Sequence, residues 1–178
     1  MFDEDIKIAG ESFEPNAEKP SAQLGESLRE NLESAKLTGV KIAEKTVKTA
    51  AVPWGDEQND SFDLQLQRGL LLAFAAVVSI ESMSAAERLK DVIKQAFYDE
   101  LVKLDSGLYK GTTDSGAFSF YYLAYRRGID IERRIGQTFA MLCSHDGDPV
   151  YQELGEALFC SMMSKAKKII SNCETDRQ

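Results

Sequence analysis

Histidine is nearly missing from this chain, and its scarcity removes most of the usual routes to catalysis. Of 178 residues only His145 is a histidine. Zinc and other transition metals usually take three or four protein ligands and favour several histidines or cysteines. A serine or cysteine nucleophile usually needs an imidazole base beside it. Cysteine is scarce as well: Cys143, Cys160 and Cys173 are widely spaced and odd in number, which predicts reduced thiols and no disulfide framework. Neither the P-loop pattern nor the dinucleotide fingerprint occurs, so the common phosphate and cofactor handles are absent and no cofactor is implied. Positive charge is in deficit, 21 basic against 29 acidic residues for a net charge of −8. That balance works against a nonspecific nucleic-acid surface.

Long apolar runs are missing too. The longest, Leu70 to Ile80, is about half of the ~20 residues that a membrane span needs. The first residues include Asp3, Glu4 and Asp5, where a secretory signal would be positive. Together with the cysteine usage, this predicts a cytoplasmic protein. No stretch alternates polar and apolar residues over strand length, whereas helical spacing recurs along most of the chain. The expected fold is therefore all-α, a single compact bundle of five to six helices over residues 20–178, preceded by an acidic, partly mobile arm at residues 1–19.

The helices can be placed by their stop and start signals. After Pro20 a long helix carries Leu24, Leu28, Leu32 and Ala35, then shifts face to Leu37, Val40 and Val47, by a bend or by a second packing partner. It ends at Pro53-Trp54-Gly55. A second helix starts near Asp60 or Ser61 and is apolar nearly all round from Leu70 to Ile80, which predicts a central position. Ser84 and Glu87 have capping-box spacing for a third, with Leu89, Val92, Ile93, Ala96, Phe97 and Leu101 on one face. Asp105 to Gly116 reads as a loop. The next helix places Phe118, Tyr121, Tyr122 and Tyr125 on one side and stops at Gly128. Asp130 is the expected cap of another, with Ile131, Ile135, Phe139 and Leu142 inward, and Asp148-Pro149 starts the last.

Three clusters invite a functional reading. The stretch CSHDGDPVY, from Cys143 to Tyr151, concentrates ionisable groups. Its His145-Asp146 dipeptide is similar to the metal-binding pair of HD-type phosphohydrolases, but that pattern requires further histidines, and this chain has none. The stretch reads instead as a polar corner between two helices, with no metal. In YYLAYRRGIDIERR, Arg126, Arg127, Arg133 and Arg134 could converge on an anion, with Tyr121, Tyr122 and Tyr125 as an aromatic wall. Ion pairs with Asp130 and Glu132 are the competing explanation. The last helix is apolar on two faces, which predicts either a central place or a subunit interface through Phe159, Met162, Met163 and Ile170. The function expected from these readings is a non-catalytic cytoplasmic protein acting through protein contacts, most simply as a homo-oligomer. The alternatives are a helical domain binding a small anionic ligand and, after it, a carboxylate-based metal hydrolase.

Overall fold

The most apolar stretch of the chain sets its architecture. The structure, a computed structural model, describes residues 19–53, 62–114 and 116–175. The acidic arm, the Trp54–Gly55 stop and the Asp60/Ser61 cap lie outside the described residues. Those described form α1 (Lys19–Ala50), α2 (Phe62–Glu81), α3 (Glu87–Leu104), α4 (Ser106–Asp114), α5 (Ala117–Arg126), α6 (Ile131–Leu142) and α7 (Pro149–Thr175), and no strand. The fold is all-α. Every residue from Arg68 to Ile80 is buried, and α2 touches each of the other helices. Its length and apolar content over Asp63–Glu81 would also suit a membrane span, and 78% of that window is buried inside the chain.

Within this apolar run sits one cation. Arg68 is buried, and its Nε and Nη2 donate to the Ala50 carbonyl at 2.9 and 2.7 Å. Ala50 is the last residue of α1, where carbonyls lack intrahelical donors and the helix dipole is negative. The guanidinium of α2 thus caps α1 and ties the two helices together.

α1 is one continuous helix of 32 residues that packs against α2, α3 and α7, so more than one packing partner accounts for its shift of apolar face. Its inner face is not Leu37, Val40 and Val47: Leu37 is exposed, and the two valines are only partly buried. The buried row is Ala35, Thr38, Gly39, Ile42, Ala43 and Thr46. Close approach to α3 explains this choice of small residues, because a Cβ on Gly39 would collide with the Ile93 carbonyl oxygen and stand 2.8 Å from the Phe97 nitrogen. The two threonines enter the core because their hydroxyls donate back along the helix, to Ser34 O and Ile42 O, each at 2.8 Å.

Two local expectations need correction on the far side of α2. The capping box at Ser84 does not form: α3 begins at Glu87 with Ala86 at the cap position and no side-chain cap. The Glu87 carboxylate instead accepts from Lys90 at 2.9 Å, and Lys90 also donates to Glu81 O. The segment read as a loop contains α4. Asp105 Oδ1 accepts from the Leu108 amide at 2.9 Å, so the aspartate caps the helix, and buried Leu108 anchors it against Gly69.

α6 and α7 cross at paired glycines. A Cβ on Gly136 would strike the Gln152 carbonyl oxygen, and one on Gly155 would lie 2.7 Å from Phe139 Cβ. Asp148 starts α7, its Oδ1 accepting from Val150 N at 2.9 Å. Asp130 does not cap α6 by its side chain. It adopts φ 50°, in the left-handed region, and Arg134 Nε donates to the neighbouring Ile129 carbonyl at 2.9 Å.

Candidate functional site

The corner after α6 is built by backbone geometry. Cys143 N and His145 N donate to Phe139 O and Ala140 O, and positive φ at Ser144 and Gly147 turns the chain toward α7. The His145 ring stacks on Tyr151, with centroids 3.8 Å apart and planes 7° from parallel. Its Nδ1 lies 4.0 Å from Asp148 Oδ2. Burial pushes the Cys143 thiol up to about 12, so it is protonated near neutral pH and is a poor nucleophile. A polar pocket of about 490 Å³ opens beside the corner, with Asp63, Gln67, Ser144 and His145 among its walls. It offers hydrogen-bonding groups but no activated nucleophile. No three His, Cys, Asp or Glu side chains come together as a metal site among the described residues.

The tyrosines of α5 belong to the core. Phe74 of α2 is ringed by Phe118, Tyr121, Tyr122 and Tyr125, with ring centroids between 5.2 and 6.2 Å away. Tyr121 is fully buried, and its hydroxyl has no hydrogen-bond partner. Desolvation, with Cys143 nearby, holds its pKa well above the ordinary phenol value. The Tyr122 hydroxyl donates to Glu81 Oε2 at 2.8 Å. None of the three tyrosines lines the groove that holds the arginines.

Arg126, Arg127 and Arg133 are exposed, and Arg134 is half-buried. Ion pairs between described residues include Lys90 with Glu87, Lys94 with Glu81 and Asp91, Lys103 with Glu100 and His145 with Asp148. No described carboxylate pairs with any of the four arginines, Asp130 and Glu132 included. Arg127 and Arg134 do share a groove of about 300 Å³ between α5 and α6, together with Phe120, Leu123, Met141 and Asp146. Phe120, Leu123 and Met141 are 47, 64 and 41% exposed. Arg126 and Arg133 do not line it.

These exposed apolar residues escaped the sequence reading. The face assigned to α5, Phe118-Tyr121-Tyr122-Tyr125, left Phe120 and Leu123 on the other side of the same helix. The last helix carries the same two-faced pattern. In α7, Phe159, Met162 and Ile170 are buried within the chain's own core. Met163 is partly buried and lies against Ser79, Oγ to Sδ 3.0 Å. Phe159 stacks 6.5 Å from Phe74. Both apolar faces of α7 are therefore occupied by its own helices, whereas the outer face of the α5–α6 pair is left uncovered among the described residues. Compared with known proteins, the chain matches no family model, no curated protein and no solved structure.

Proposed function

We propose that this chain is a non-catalytic protein of the cytoplasm that works by protein contact, as a homo-oligomer, and that the contact is made by the outer face of α5 and α6. One observation carries the reading: Phe120, Leu123 and Met141 stand exposed together in a groove whose two arginines, Arg127 and Arg134, have no described carboxylate partner. Single exposed apolar side chains are ordinary on a protein surface; here three of them line one groove together with two arginines, and it is that combination, more than the patch's area, that supports a contact site. Arginine, methionine and phenylalanine are also among the types enriched at interfaces. The reduced-thiol reading of the cysteines supports the cytoplasmic placement. The anion-pocket alternative has lost its aromatic wall to the core, and the high pKa of Cys143 favours no covalent chemistry.

Sedimentation velocity over a concentration series tests this. The wild-type chain should sediment as an oligomer, and Leu123→Glu should sediment as a folded monomer, with helical circular dichroism unchanged. A wild-type chain that remains monomeric at its highest soluble concentration would overturn the reading.

A further inference from the structure

The groove between α5 and α6 is polarised along its length. Arg127 immediately follows α5 and Arg134 is in the first turns of α6, so both stand at the end where the two helices are joined. Phe120 in the first turn of α5 and Met141 in the last turn of α6 stand at the other end, with Asp146 just beyond. From Arg134 to Met141 the helical rise alone separates the two ends by ~10 Å. Leu123 lies between them.

Resting on the homo-oligomer reading above, we propose that the occupant of this groove is the same groove of a second copy, placed antiparallel about a two-fold axis near Leu123. A two-fold interface is self-complementary: whatever one copy's residue i offers to j, the partner's i offers to j in return. Arg127 and Arg134 of one copy then meet Asp146 of the other, twice per dimer, while Leu123 packs at the centre and Phe120 and Met141 line the flanks. A parallel placement would bring the arginines of the two copies together and is disfavoured by like charge. The antiparallel one pairs groups that have opposite charge and are half-exposed or exposed in the single chain. It also answers the chain's net charge of −8, which drives two copies apart unless the contact itself is charge-matched. Four helices, two from each copy, would form the joint, a standard packing of helix pairs.

Reciprocal charge reversal tests the arrangement. The double variant R127D/R134D and the single variant D146R each place like charges in both halves of the interface, and each alone should dimerise at least ~100-fold more weakly than wild type, about tenfold for each of two broken contacts. Mixed in equal amounts, the two should form a heterodimer, because each half of the joint then pairs opposite charges again. The triple variant R127D/R134D/D146R should restore the homodimer, and its dimerisation also shows that the substitutions leave the chain folded. Sedimentation and native mass spectrometry read all four, since the variants differ in mass. If wild type dimerises and Leu123→Glu is monomeric, but the charge variants still dimerise alone or the mixture fails to pair, the antiparallel arrangement is overturned while the contact face stands. If wild type is monomeric throughout, the self-association reading itself falls.

Discussion

Gly39→Ala is the substitution that most directly tests how the long first helix is held. On an open helix surface it would stabilise the chain, since alanine is better than glycine in a helix by about 1 kcal/mol. Here the added methyl meets backbone: it would collide with the Ile93 carbonyl oxygen and lie 2.8 Å from the Phe97 nitrogen and 2.9 Å from Ala96 Cβ. Main-chain atoms inside α3 cannot rotate away, so α1 and α3 must separate along the row Ala35, Thr38, Ile42, Ala43 and Thr46. Overpacking a tight core usually costs about 1–3 kcal/mol, and a gap of under ~1 Å forfeits a quarter to a half of each dispersion contact along the seam. Taking the upper end and subtracting the helix-propensity gain leaves a net loss of about 2 kcal/mol, or a fall in Tm of about 4–8 °C for a chain of this size. Gly111→Ala in α4 is the matched control, because its nearest neighbours are the side-chain tips Leu70 Cδ2 at 3.0 Å and Leu66 Cδ1 at 3.4 Å. Those tips can move, and that variant should stay within about 1 kcal/mol of wild type. Urea unfolding followed by circular dichroism measures both. A Gly39→Ala chain as stable as wild type would refute the close-packed seam.

Other perturbations follow from single side chains. Arg68→Met keeps the apolar stem but removes both hydrogen bonds to Ala50 O, and it should cost about 2–3 kcal/mol in urea unfolding; an unchanged midpoint would mean that the buried guanidinium does not hold the end of α1. With its thiol pushed up to about 12, Cys143 should react with iodoacetamide near pH 8 roughly 10³-fold more slowly than an unhindered cysteine of pKa about 8.5, and rapid labelling seen by peptide mass mapping would contradict its burial. The same shift makes stability fall at alkaline pH. The unfolded thiol ionises first, so the contribution of Cys143 is complete below pH ~8.5 and is lost as pH rises toward ~12. The advantage in Tm of wild type over Cys143→Ala should accordingly shrink between pH ~8 and ~10.5, and a constant gap would argue against it.

How much of this was legible depended on which physical signal carried each element. The position of α2 could be read directly, because an apolar surface all round has only one comfortable place. So could the Asp148-Pro149 start and the Gly128 stop, with Gly128 at φ 71°, since these are local backbone requirements. The seam of α1 could not. Apart from Ile42 its buried row is alanine, glycine and threonine, which carry little apolar signal, whereas Leu37, Val40 and Val47 carry a strong one. α4 was hidden for a related reason: SGLYKGTTD has turn composition, and only the Asp105 cap and the anchoring of Leu108 on α2 hold it helical. At the candidate site, the arginine pair Arg127 and Arg134 was visible, but its companions were misassigned. The tyrosines were the larger and more conspicuous residues of α5, and they were claimed by Phe74, the largest side chain that α2 presents to them.

The side of α5 that no described residue covers asks for a reason of its own, because Leu123, 64% exposed, adds little to the core. The inner face already supplies four rings to the core, and a lysine or serine at the outer positions would satisfy the helix equally well. Exposures of 47, 64 and 41% at Phe120, Leu123 and Met141 amount to roughly 250 Å² of apolar surface, near the lower limit for the largest patch on a typical monomer. Two copies burying it mutually remove about 500 Å² of apolar surface from water, well under the ~1,000 Å² that a stable interface normally buries in total, so the apolar contact alone does not hold together two chains that each carry a net charge of −8. Whether a dimer exists then turns on how Arg127 and Arg134 meet Asp146, and for that reason reversal of those charges should give monomers at working concentrations.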